Sequence, residues 1–173
     1  MKKMLVSLFA LLLVMPMLAL AEPIVMVTLG ISVDLPEGYV VQQEYTAEER
    51  VWATITRNIE GEPGIGIMIS RPGQEILDMV RAGESPVSTP DEATTELVET
   101  EGTVHLDVIA KDETSIIHYI LHADSDILMT ISLIPEDEEL TREEIADYRS
   151  IVDSIEVVID PQTILDALVV NNA

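Results

Sequence analysis

His105, Asp107 and His118 are the side chains whose types and spacing could do chemistry together. They lie in two strand-like runs, "TVHLDVIAK" (103–111) and "TSIIHYILH" (114–122), and Asp112-Glu113 supplies a hairpin turn between them. A hairpin centred on that turn sets His118 opposite Asp107 and His105 opposite Ile120. His105, Asp107, His118 and His122 then share one sheet face with Ile109, Ile116 and Ile120. Direct and diagonal cross-strand neighbours lie within about 8 Å. Two imidazoles and a carboxylate at that range suit Zn²⁺ or Fe²⁺. His122 sits ~13 Å from His118 along the strand, too far to share an ion. The plainer reading of the same residues is an Asp–His pair on a polar sheet face, with no metal.

Other candidate motifs resolve into structure. In "EDEELTREEIAD" (136–147), Thr141-Arg-Glu-Glu144 is a capping box, and Glu143 and Glu144 fall in the first helical turn, where the dipole favours anions. The carboxylates at 136–139 form its approach loop. Without a central glycine they do not make an EF-hand loop, which leaves weak calcium association as the alternative. Asp124-Ser125-Asp126 reads as a turn between strands. The glycines at 61, 64 and 66 lack the Lys-Ser/Thr of a phosphate loop. Gly83-Glu-Ser85 lacks the second glycine of a nucleophile elbow. With 0 cysteines, disulfides, thiol catalysis and thiolate metal sites are excluded.

Charge narrows the partners. The 173 residues carry 9 basic and 32 acidic groups. A field of that sign repels phosphate backbones and anionic membrane surfaces, so neither nucleic acid nor an anionic bilayer is expected as a partner. Cationic partners, or divalent cations acting in bulk, fit the field. The N-terminus has the form of a secretory signal: Lys2 and Lys3, an apolar run from Met4, Pro16, then Ala19-Leu20-Ala21 before Glu22. Residues 1–21 are therefore expected to be a signal peptide cleaved near Ala21. Residues 22–173 are expected to form a single secreted or periplasmic domain, with 159–173 as a C-terminal extension.

The elements that must position these residues follow from periodicity. Strands are expected within 25–38, closing on Pro36-Glu-Gly38, and at 39–45, 50–59, 65–70, 103–111, 114–122 and 126–134. Helical spacing at Ile76, Leu77 and Val80 ends at Gly83. Thr89-Pro-Asp-Glu92 reads as a capping box opening a short helix through Ala93, Leu97 and Val98 to Gly102. Ile145, Tyr148, Val152 and Ile155 form a helical stripe. "EVVID" (156–160) is expected as a last strand, and Pro161 opens a C-terminal helix. Trp52, the only tryptophan, is expected to pack beneath a helix as a core anchor; the alternative is an exposed position on the Thr54/Thr56 face, which would mark an interface. The fold class is α+β, a mainly antiparallel sheet with flanking helices.

The order of these elements, with "ISVDLPEGY" (31–39) near the start and "YRSIVDSIEVV" (148–158) closing the last amphipathic helix, resembles the PsbP-like α/β/α sandwich. Tyr39 stands where a tryptophan is often found in that superfamily. The resemblance implies a sandwich without a shared active site, in a group whose members mostly dock onto larger assemblies. The function expected is therefore that of an exported, non-catalytic acidic domain binding another exported protein or cell-envelope component. The alternative is a metal-binding protein or metal-dependent enzyme using His105, Asp107 and His118 with zinc. Intact-mass measurement of the exported chain is expected to show a species beginning at Glu22; an uncleaved leader would remove this reading of the N-terminus.

Overall fold

The computed structural model describes residues 23–171, apart from 48, 58–63, 88–92, 101, 111–114, 123 and 136–139. The signal-peptide reading, the acidic approach loop at 136–139 and the capping box at Thr89–Glu92 fall outside the described residues. Among those described, no helix is long and apolar enough to cross a membrane.

Ten strands and three helices form the described domain. A small antiparallel sheet joins β1 (Ile24–Met26), β2 (Ile31–Val33) and β10 (Glu156–Val157) in the order β1-β2-β10. The main sheet holds β3 (Tyr39–Ala47), β4 (Arg50–Arg57), β5 (Gly64–Ser70), β6 (Thr94–Thr100), β7 (Thr103–Ile109), β8 (Ile116–His122) and β9 (Leu128–Ile134). Its order is β3-β4-β5-β9-β8-β7-β6, every pair antiparallel. The helices are α1 (Gln74–Arg81), α2 (Arg142–Ser154) and α3 (Pro161–Asn171). The expected α+β class with a mainly antiparallel sheet is the class observed.

The two faces of the sheet are buried at different places. On one face Val51, Ala53, Ile55, Ile65, Ile67, Ile69 and Ile131 are fully buried, in one core with Ile145, Tyr148 and Ile151 of α2, Leu165 of α3 and the small sheet. On the other face Val104, Leu106, Val108, Tyr119 and Leu121 form a second core with Leu77 and Val80 of α1. Strand alternation accounts for the split. β4 and β5 are apolar on one side, β7 is apolar on the opposite side, and β8 and β9 contribute to both cores. The main sheet thus has helices on both faces, but staggered.

Local signals set the ends. Thr141 caps α2, its hydroxyl accepting from the Glu144 N–H at 3.2 Å while the Glu144 carboxylate accepts from the Thr141 N–H at 2.6 Å. This is the expected capping box. Gly83, at φ +75°, ends α1 as expected.

One expected element is corrected. Residues 94–100 are a strand, not a helix: β6 pairs in continuous register with β7, from Thr94↔Ile109 to Thr100↔Thr103. Adjacent Leu97 and Val98 fit one helix face or the two sides of a strand equally well. The three threonines and Val98 favour extended backbone. Gly102, at φ +79°, closes a two-residue hairpin loop that offers β7 as a ladder. Trp52 is likewise corrected. It is half-buried and lies on a part of the sheet that no helix covers among the described residues, stacked on Tyr45 at 4.9 Å between centroids.

Gly30 is the tightest joint between the small sheet and the C-terminal segment. It has φ +67°, and its carbonyl accepts from the N–H groups of Val158 (2.8 Å) and Ile159 (2.9 Å). An added Cβ would overlap the Ile164 side chain and lie 2.8 Å from the Ile159 carbonyl oxygen. Gly38 has φ +91° with nothing near its virtual Cβ. Gly38→Ala is therefore expected to cost only the left-handed backbone term, ~1–2 kcal/mol. Gly30→Ala is expected to cost that plus ~1–3 kcal/mol of overpacking. Denaturant unfolding of both variants checks this, and equal losses would show that the overlap relaxes freely.

Candidate functional sites

The hairpin of β7 and β8 has the register expected from its turn: Asp107 pairs with His118 and His105 with Ile120. The side chains of all three predicted residues meet. His118 Nδ1 bonds Asp107 Oδ1, and His118 Nε2 lies 3.3 Å from His105 Nδ1. His122 is apart from them, its Nδ1 bonded to Thr103 Oγ1 at 3.0 Å. The carboxylate only accepts, so His118 carries its proton on Nδ1 and donates to Asp107. Its Nε2 then accepts from the His105 Nδ1–H. With both rings neutral the row has one direction, His105 to His118 to Asp107, and ends at the lone pair of His105 Nε2.

A row is different chemistry from a cage. In this arrangement Asp107 and His105 occupy opposite nitrogens of His118, so the three side chains do not face one common point. An ion between His105 and His118 would have two protein donors, short of the three or four that hold zinc. Among the described residues no group of three or more His, Asp or Glu side chains converges on a metal position. The row offers no general base at His118 either, because both of its ring nitrogens are engaged.

The row borders a cleft of about 330 Å³ between the sheet and α2. Glu96 of β6, Asp107 and His118 form one wall, Arg149 and Asp153 of α2 the other, with Ile109, Ile116 and Val152 as apolar lining. Tyr148 also lines it but is committed: its hydroxyl donates to the Ile131 carbonyl at 2.9 Å, and burial drives its pKa far up.

A second concavity was not anticipated from the sequence. Among the described residues α1 covers only the β7–β8 half of its face, and the β3–β4–β5–β9 half is left open. A groove of about 390 Å³ runs over it, lined by Arg50, Trp52, Thr54, Gly66, Met68, Thr130 and Ser132. β5 explains its depth. "GIGIMIS" sends Ile65, Ile67 and Ile69 into the core and Gly64, Gly66 and Met68 outward. A Cβ on Gly66 would meet Ser132 Oγ at 3.0 Å, and one on Gly64 would meet Thr54 Cγ2 at 3.3 Å. The Arg50 guanidinium sits 5.8 Å from the Trp52 ring centroid. The available signal was the pair of outward glycines inside a strand, which marks a bulge or a close approach by another group.

No family model matches the sequence, and no curated protein matches it. A crystal-structure chain from Bacteroides thetaiotaomicron aligns with a TM-score of 0.40 and 12% identity, over 82% of this chain and 50% of that one.

Burial, followed by the neighbouring His118 ring, holds the His105 imidazole below its ordinary value, against the opposing pull of Asp107. Folding therefore favours neutral His105. The associated stability is fully present above the unfolded value of about 6.5 and declines as pH falls below it, because the unfolded chain then binds more protons. Urea unfolding between about pH 7.5 and pH 5 is expected to show stability dropping toward acid, with a shallower drop in His105→Gln. Parallel pH profiles would remove this assignment.

Proposed function

We propose that the protein is an exported, non-catalytic acidic module, secreted or periplasmic after cleavage near Ala21, that binds another exported protein or cell-envelope component. Its staggered helices on both faces of an antiparallel sheet are compatible with a PsbP-like sandwich. The observation that carries the reading is the uncovered half of the sheet. The only tryptophan stands there beside a groove lined by the outward-facing Gly66. A glycine in a strand interior gives up β propensity and side-chain packing, and here Gly66 faces the groove rather than the core. Aromatic and arginine side chains around such a groove, here the half-buried Trp52 and the exposed Arg50, are the groups that dominate protein recognition. The hydroxyls of Thr54, Thr130 and Ser132 supply polar contacts without a reactive centre.

Trp52 also reports on the site, since it is the only source of tryptophan emission. Adding a solubilised cell-envelope fraction to the exported chain is expected to shift that emission. In a pull-down from the same fraction, Trp52→Ala is expected to weaken capture of the bound component by roughly 30-fold, about 2 kcal/mol. Val169→Ala, an exposed apolar change on α3, should leave it intact. Undiminished capture by Trp52→Ala would overturn the reading.

A further inference from the structure

We infer that the edge of β6, open among the described residues, receives an extended segment of a partner protein in which basic and apolar residues alternate. This deepens the reading of the chain as a binding module but uses a surface at the other end of the sheet from Trp52.

The main sheet ends in β3 and β6, and the two edges differ. β3 carries a register shift between Val41 and Gln43, and such irregularity blunts an edge. β6 has no shift, no proline and no lysine, and it is exposed along all seven residues. Among the described residues its only strand partner is β7. Seven residues of unpaired ladder are enough for β-strand addition, in which main-chain hydrogen bonds supply affinity and alternate side chains supply selectivity.

Those side chains specify the occupant. Glu96 and Val98 point to the face of the cleft, and Leu97 and Glu99 to the opposite face. Beside Glu96 stand Asp107 and Asp153, with Arg149 the one Lys or Arg lining the cleft among the described residues. A strand added to β6 would place every second side chain along this acidic lip and the intervening ones beside Leu97, which is 38% exposed. Basic residues on the first side would pair with Glu96 while their stems cover Val98, 45% exposed. Apolar residues on the second side would cover Leu97. A second copy of this chain is disfavoured, because its β6 carries the same two glutamates and its net charge at pH 7 has the same sign.

The test uses the full chain, expressed with its leader in an exporting host and purified as it emerges. The probe is a capped peptide of alternating Lys and Val, about nine residues long. Saturating peptide is expected to slow amide exchange across Thr94–Thr100 by about tenfold or more, without slowing it in β4 or β5. Affinity should fall about tenfold between ~50 and ~300 mM salt, and about tenfold again in Glu96→Lys. A Glu/Val peptide, or a Lys/Val peptide N-methylated at alternate residues on both strand edges, should not bind. Equal binding of the N-methylated peptide would reduce the effect to charge alone and overturn the proposal. So would protection confined to β3, β4 or β5, an absence of binding, or concentration-dependent protection of β6 without peptide, which would identify a second copy as the occupant.

Discussion

The architecture depends on a change of side in the apolar surface of one sheet. In β4, β5 and β9 the fully buried isoleucines point one way; in β7 the buried valines and leucine point the other. A sheet that keeps one apolar face needs helices on that face only. This sheet must be covered by α2, α3 and the small sheet at one end and by α1 on the opposite face at the other. β8 and β9 lie where the two cores overlap, and they accordingly read as nearly continuous apolar runs. Among the described residues the stagger leaves two diagonal quarters incompletely covered, the Trp52 groove and the face bearing His105 and Glu96. Both concavities are consequences of how the core is divided.

Electrostatics reinforces the joints where the layers meet. Basic residues are few, and two arginines bridge separate elements. Arg57 at the end of β4 holds Glu143 at 2.8 Å and Asp147 at 2.7 Å, tying the first two turns of α2 to the sheet. Arg71, after β5, holds Asp126 and Asp166 at 3.0 Å each, joining the β8–β9 loop and α3 to the same sheet end. The Asp166 carboxyl is held below its usual range by Gln162 first and Arg71 second. Individually such pairs at the surface contribute modestly. Their effect is to concentrate cations at joints, so that the large excess of carboxylate elsewhere sets the field seen by a partner.

What could be read from the sequence was what local chemistry determines. The Thr141 capping box, the left-handed stop at Gly83, the turn before Tyr39 and the β7–β8 register all depend on residues near each other in the chain. What could not be read depended on which surface covers which. The pattern at Leu97 and Val98 has no period of its own, and the neighbouring hairpin decided it. Trp52 was expected inside because large apolar residues usually are, yet its fate turned on where α1 lies. His105, Asp107 and His118 were placed together correctly from register. Their order as a row rather than a cage was fixed by rotamers, which spacing does not encode.

That row has a structural rationale in its position. It lies near the boundary of the larger core: Ile116 and Tyr148 are buried, whereas Asp107 is 38% exposed and His118 12%. An apolar triplet there would extend an exposed hydrophobic patch past the edge of α2, and isolated polar groups would be desolvated without partners. Two imidazoles and a carboxylate in sequence satisfy one another through ring nitrogens. They also link β7 to β8 by side chains on the face opposite α1, next to the β6 edge. The polar row therefore replaces, at the margin of the sandwich, the packing that a longer α2 would have supplied.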